Sequence, residues 1–263
     1  MNRISSNYIN RDKLIFGCAR LGNLNKKDVT ALIEECVQNK ILHFDTAPSY
    51  GSEKLIGEIL RGVDNVIITS KIGLPRIESN NKLLKRIYKK SIKNLGKISP
   101  VIKNRIYSSI NNKQTSDHTK RVLSMDEIMF DLEKTLTNIN KSMLDILLIH
   151  EPDQFIIDNA LIERFEILKK EGLIAKYGLG YNRSNFDMPK FGSIRQYLYD
   201  ENINISYDSV NIVHGLMRAS ILKGNCGIEH SNFIKNFLAK DDSLSVLFSA
   251  SSTFQIKEIC SNS

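Results

Sequence analysis

The sequence predicts an α/β fold, a (β/α)8 barrel of the TIM type, and three observations carry that expectation. Apolar, strand-like runs alternate with amphipathic helical segments through short connections, the pattern of a parallel sheet covered by helices. Three of those runs lead to polar residues, Asp45, Lys71 and His150. At the carboxyl ends of parallel barrel strands such residues converge on one mouth, where the chemistry of these folds resides. The length, 263 residues, suits one such barrel, or two ordinary domains.

The elements follow in order. Leu14–Ala19 is the first strand, and Lys27–Asn39 has the 3.6-residue apolar period of a helix. A strand over 42–47 runs into a tight turn with Pro48 and Gly51. A helix then opens at Ser52-Glu53, with Leu55, Ile56, Ile59 and Leu60 at helical spacing. VIITSK (66–71) is the next strand. The rhythm breaks over 72–123 and resumes at Ser124, where Ser124 and Glu127 fit a capping box for a helix over Asp126–Asn138. LDILLIHEPD (144–153), a helix over Asn159–Glu171 and a strand over Lys176–Tyr181 follow. Beyond that point the pattern thins. Tyr207–Val213 reads as strand six, Ser243–Ser252 as the final strand, and a short helix starts at Thr253. One strand–helix unit in the six-to-seven region therefore looks shortened or lost, so the barrel is expected to be abbreviated there.

Composition is that of a soluble globular protein, 41% hydrophobic and 25% charged. No apolar run approaches the roughly 20 residues of a transmembrane helix, and MNRISSNYINRDK is too polar for a secretory signal. Cys18, Cys36, Cys226 and Cys260 lie far apart without metal-like spacing, which reads as reduced thiols in a cytoplasmic protein without a metal site. The net charge of +8 is concentrated: residues 72–123 hold thirteen Lys or Arg against Glu78 and Asp117, a net +11. Within that segment Leu83–Ile98 has the pattern of an amphipathic basic helix stopped by Pro100.

FDTAPSYGSEKLIGEIL (44–60), ITSK (68–71), LDILLIHEPD and GLIAKYGLGYN (172–182), in this order and after LIFGCARLG (14–22), resemble the aldo-keto reductases. These are (β/α)8-barrel, nicotinamide-dependent oxidoreductases, and the resemblance covers residues 14–76 and 124–183 well. It implies that Asp45, Tyr50, Lys71 and His150 are the catalytic four. The residue types suit carbonyl reduction, which needs a proton on oxygen as hydride reaches carbon. A phenol with pKa near 10 is a poor acid alone. An adjacent ammonium lowers that pKa, and Lys71 is expected to supply it. Asp45 would keep Lys71 charged, and His150 would hydrogen-bond the substrate oxygen. Taken singly, each has a plainer reading: a turn carboxylate, an uninformative tyrosine, an exposed strand-end lysine, a hydrogen-bonded structural histidine.

The resemblance also implies an extended NAD(P)H bound without a Gly-rich Rossmann loop, and NADP(H) rather than NAD(H). Gly17 is counted among the cofactor contacts. The family's Ser-Asn pair that holds the nicotinamide carboxamide corresponds to the GLGYNRSN stretch, where Asn182 is the candidate and Arg183 stands where Asn is usual. If Tyr207–Val213 is strand six, Asn211 and His214 occupy the places of the family's Gln and of the aromatic that stacks on nicotinamide. SASSTFQIKEI (249–259) resembles the adenosine-phosphate loop, with Ser249, Ser251, Ser252, Gln255 and Glu258 as candidate contacts; Ile259 stands where Asn is common, and no Arg is present.

The expected reaction is thus interconversion of a small aldehyde or ketone, sugar-like in character, with its alcohol, in one domain spanning 1–263. The basic 72–123 insertion would lie near the mouth. It is read as a solvated lid helix or as a collector of anionic substrates such as a sugar phosphate or nucleotide-sugar. Membrane-surface docking is a lesser reading, and nucleic-acid binding is disfavoured because no aromatic platform accompanies the charge. The competing classes are a non-catalytic barrel used as a regulatory or binding subunit, and non-redox sugar chemistry with Tyr50 and Lys71 as acid and base.

Overall fold

A computed structural model describes residues 9–77, 120–184, 188–202, 205–206, 208–225 and 228–260. The basic helix expected over Leu83–Ile98, Cys226 and most of the insertion's charge lie outside the described residues.

Eight parallel strands close into a barrel in sequence order. They are β1 (Leu14–Gly17), β2 (His43–Asp45), β3 (Ile67–Ile72), β4 (Leu144–His150), β5 (Ile174–Gly180), β6 (Ile194–Leu198), β7 (Val210–His214) and β8 (Leu244–Phe248). Closure is made by β1 and β8, with Leu14 opposite Val246 and Phe16 opposite Phe248. Around the barrel stand α1 (Lys26–Gln38), α2 (Glu53–Ile59), α3 (Met125–Ile139), α4 (Asn159–Lys170), α5 (Leu216–Leu222), α6 (Ile228–Leu238) and α7 (Thr253–Cys260). Local sequence sets several helix starts. Asn25 and Asp158 accept hydrogen bonds from the backbone N–H of Asp28 and Leu161, each 2.9 Å, and Ser124 with Glu127 forms the expected capping box of α3.

The interior is filled by side chains of alternate strand positions. Ile15, Ile146, Leu148, Ile194 and Ile212 form a closed apolar layer inside the barrel. Outward-facing residues such as Phe16, Phe44, Leu147 and Val246 join the larger core under the helices. Gly178 lets β5 and β6 approach: a Cβ there would lie 1.8 Å from the Ile194 carbonyl oxygen.

The structure corrects the reading of the last third. All eight strands are present, and Val210–His214 is strand seven; strand six is Ile194–Leu198. What is abbreviated is the connections. Between β5 and β6, and again between β6 and β7, no helix occurs among the described residues. Aromatic side chains cover the sheet in their place. Phe191, in the β5–β6 connection, packs on Phe165 of α4 and Tyr177 of β5 with ring centroids 4.9 and 5.0 Å apart, and Tyr199 packs on Phe233 and Phe237 of α6.

A buried polar network ties α2 and α3 to the outer face of β3. Glu53, 2% exposed, accepts hydrogen bonds from Ser70 (3.1 Å), Thr135 (2.8 Å), Asn138 (3.2 Å) and Arg76 (2.5 Å). Arg76 also donates to the Asp131 carbonyl at 2.8 Å. Removing one partner of such a pair leaves an uncompensated charge. Glu53→Ala is therefore expected to lower unfolding free energy by about 3–5 kcal/mol in urea titration, with part of the loss recovered by Glu53→Leu/Arg76→Met. A loss below about 1 kcal/mol would show that the network does not anchor the helices.

Candidate active site

The register of β2 and β3 sets the site. Asp45 lies opposite Thr69, so Lys71, two residues on, shares the inward face with Asp45. The Lys71 ammonium donates to Asp45 Oδ1 at 2.5 Å and to the Thr46 carbonyl at 3.2 Å. The second Asp45 oxygen accepts from Gln196 Nε2 at 2.8 Å. Asp45 and Lys71 are only 2% and 3% exposed. A charge buried to that degree persists only if paired and hydrogen-bonded, and every one of these contacts meets that demand.

Tyr50 arrives from the turn after β2. Pro48 starts the turn, Tyr50 N–H donates to the Ala47 carbonyl at 2.9 Å, and Gly51 takes a left-handed φ of 63° that redirects the chain into α2. The Tyr50 ring lies beside Lys71, whose Nζ is 5.3 Å from the ring centroid. The His150 ring meets the Tyr50 ring edge-on at 5.9 Å. The sequence thus places Asp45, Tyr50, Lys71 and His150 on three strand ends and a turn, and the fold brings all four to one mouth.

Burial and charge act against each other here. Burial alone would push the Lys71 ammonium down, yet Asp45 and Tyr50 outweigh it and hold its pKa above the ordinary value. For Tyr50 the balance differs from the expected lowering. Burial raises its pKa more than Lys71 lowers it, so the phenol keeps its proton throughout the neutral range. Burial, reinforced by Lys71 and His214, lowers His150 to about 3, which makes it a neutral imidazole.

The four line a cavity of about 690 Å³ that also reaches Gly17, Gly180 and the residues of α7. Gly17 and Gly180 leave backbone bare along this wall. A Cβ on Gly17 would lie 2.8 Å from Ser249 Oγ, which donates to the Gly17 carbonyl at 3.2 Å. Among the other expected cofactor contacts, Asn182, His214, Ser249, Gln255 and Glu258 line the cavity. His214 Nε2 bonds the Tyr181 carbonyl at 2.9 Å, which fixes its tautomer. Ser251 and Ser252 are not among the lining residues but bond to Gln255, which is. Gln255 Oε1 accepts from Ser251 N at 2.7 Å, and Gln255 N–H donates to Ser252 Oγ at 3.4 Å.

Asn211 does not reach the cavity. It is fully buried. Its amide donates to the Ser206 and Ser209 carbonyls and to Ser243 Oγ at 2.8–3.0 Å, and its oxygen accepts from Tyr197 at 3.0 Å. It fastens β6, β7 and β8 together. The inward glutamine beside the dyad is Gln196, whose signal was the Gln-then-aromatic order once strand six is set at Ile194–Leu198. Arg20, Glu151, Arg218 and His230 also line the cavity and were not singled out by sequence. No cluster of side chains suited to a metal ion occurs among the described residues.

The fold and the site together define a closed parallel (β/α)8 barrel whose mouth gathers a Lys–Asp pair, a tyrosine and a neutral histidine. The chain belongs to the aldo/keto reductase family, whose sequence pattern matches residues 13–212. It is 26% identical over 219 residues to the uncharacterised oxidoreductase YcsN of Bacillus subtilis (strain 168), a match that takes in 78% of this chain and 61% of that protein. The chain therefore spans less than two thirds of the length of that relative. Its fold is similar to the holo form of an aldo-keto reductase from Bacillus halodurans, with a TM-score of 0.61 at 19% identity over 94% of this chain and 85% of that one. Aldose reductase from Schistosoma japonicum has a TM-score of 0.57 at 16% identity, over 94% and 81% of the two chains.

Acid stability follows from the two most perturbed histidines. Burial lowers His43, hydrogen-bonded to Thr69, to about 4, and His150 to about 3, from 6.5. Below 6.5 the unfolded chain takes up protons that the folded chain refuses, so this penalty is absent above pH 6.5 and grows as pH falls towards 4 and 3. The urea midpoint is expected to drop between pH 7.5 and pH 5, and to drop less in His43→Gln/His150→Gln. Parallel pH curves for the two proteins would refute the assignment.

Proposed function

We propose that the protein is a nicotinamide-linked reductase that interconverts a small aldehyde or ketone, sugar-like in character, with its alcohol. The observation that carries this reading is the convergence of Tyr50, Lys71, Asp45 and His150 on one point of the cavity wall. Reduced nicotinamide, when bound, supplies the hydride. The chain's own residues manage the proton. Neutral His150 donates a hydrogen bond to the carbonyl oxygen and orients it. Tyr50 gives its proton to that oxygen as the carbon gains the hydride, and the Lys71 ammonium stabilises the phenolate left behind. Asp45 and Gln196 fix the ammonium so that no solvent reorganisation is needed as charge develops. In the reverse direction the phenolate takes the proton back.

A cavity of about 690 Å³ supports the cofactor reading. Gly17 and Gly180 leave room for close approach at the catalytic end. Asn182, His214, Ser249, Gln255 and Glu258 would hold the dinucleotide, with Ser251 and Ser252 acting through Gln255 and Asn211 excluded by its bonds. We favour NADP(H) over NAD(H): the segment 249–254 carries no cation, but Arg218 lines the same cavity. No helix among the described residues is long and apolar enough to cross a membrane, and the free thiols of Cys18, Cys36 and Cys260 support a reducing compartment such as the cytoplasm.

The chain has nine tyrosines and no tryptophan, so titration with NADPH or NADH is read by quenching of tyrosine fluorescence. Wild type and Tyr50→Phe are expected to bind alike, while Tyr50→Phe loses about 10²–10⁴-fold in turnover, the span of a positioned acid. Failure of both cofactors to bind at millimolar concentration would overturn the redox reading and leave a binding or non-redox barrel.

A further inference from the structure

The residue after His150 breaks two backbone rules at once. Glu151 sits at φ 52°, ψ 63°, in the left-handed region that only Gly, Asn and Asp enter readily. It also precedes Pro152, which narrows the choices of the preceding residue further. The conformation is held from both sides: Glu151 N–H donates to the Gly180 carbonyl at 2.9 Å, and its own carbonyl accepts from Gln154 N–H at 3.2 Å. A strained residue held this firmly beside reacting groups points towards a role in the site.

Glu151 lines the cavity next to His150 and Tyr50. Asn182 lines the same cavity, and among the described residues none of the ion pairs includes the Glu151 carboxylate. The nearest cation on its own side, Arg183, is engaged elsewhere. Its Nε and Nη2 grip the two oxygens of Asp153 at 2.7 and 2.9 Å, and its guanidinium stacks 4.4 Å from the Tyr181 ring centroid. Lys71 is matched by Asp45. Burial, aided by Asp153, raises the Glu151 carboxyl above the usual range, against the pull of Asn182 and Arg183.

We infer that Glu151 is a specificity residue that selects, for the reductase proposed above, a neutral carbonyl substrate bearing a hydroxyl next to the carbonyl carbon. The inference rests on that reading of the site. A carboxylate is an acceptor only. Lining the cavity outside every ion pair among the described residues, it is placed to accept a hydrogen bond from the ligand. A cationic group beside the carbonyl would meet the Lys71 ammonium, which lines the same cavity. A carboxylate or phosphate attached to the carbonyl carbon would meet Glu151 across a poorly solvated gap and be repelled. An anionic substrate is therefore admitted only with its charge remote from the carbonyl.

The test compares three carbonyl compounds with wild type, Glu151→Ala and Glu151→Gln: D-glyceraldehyde, propanal and glyoxylate. Glu151→Ala is expected to lose at least about tenfold in kcat/KM on glyceraldehyde, chiefly in KM, and less than about twofold on propanal. Glu151→Gln removes the charge and can turn a donor to the ligand, so activity on glyoxylate is expected to rise at least about fivefold. Equal losses on glyceraldehyde and propanal, or no gain on glyoxylate, would overturn the inference and leave Glu151 a loop-fastening residue. A wild type that reduces none of the three overturns the reductase reading instead. Saturation-transfer NMR on the same proteins then decides Glu151 alone: contact with glyceraldehyde lost in Glu151→Ala supports it, and equal contact in both refutes it.

Discussion

The ion pair between Lys71 and Asp45 is the constraint around which the rest of this mouth is arranged. Both groups are nearly sealed from solvent, and each charge is tolerable only while the other is within hydrogen-bond reach. That requirement fixes the register of β2 against β3 and places Gln196 on the far side of the barrel, where it holds the second carboxylate oxygen. It also sets the character of the neighbours. With the ammonium retained, His150 has every reason to stay neutral, and Tyr50 is left as a proton-bearing phenol beside a cation that welcomes its conjugate base.

The network on the opposite face of β3 supports the same arrangement from behind. Ser70 and Lys71 point to opposite sides of the strand. Ser70 meets Glu53 under α2, while Lys71 meets Asp45 inside the barrel. The turn that delivers Tyr50 is continuous with α2, so fastening Glu53 to Ser70, Thr135, Asn138 and Arg76 also fixes where the phenol enters the mouth. The geometry of the mouth and the packing of the helices are thus two sides of one strand.

The parts legible in the sequence were those where a polar residue ends an otherwise apolar run. Asp45, Lys71 and His150 stand out because β2, β3 and β4 are otherwise hydrophobic, and the capping box at Ser124 and Glu127 announced α3. Strand six was illegible for the converse reason. Its sequence, Ile-Arg-Gln-Tyr-Leu, turns a glutamine inward and an arginine outward, so neither a clean alternation nor an apolar run survives. No helix among the described residues flanks it to mark the rhythm. With strand six read at Tyr207–Val213, the position of the family's Gln falls on Asn211, which the fold uses as a fastener between strands. The net rise in the Tyr50 pKa was hidden for another reason: it depends on the depth of burial, which residue types at a given spacing do not encode.

The direct test of the account is the fate of the hydride. Protein supplied with NADPH carrying deuterium at the nicotinamide C4 and with D-glyceraldehyde should yield glycerol with deuterium on the former carbonyl carbon, seen as one added mass unit by mass spectrometry and located by NMR. In Tyr50→Phe the same product should form with the same label, only far more slowly. Glycerol formed without deuterium from either face of the C4-labelled cofactor, or a product isomerised at the carbonyl with NADPH unconsumed, would contradict the account and make this mouth a site of non-redox proton transfer.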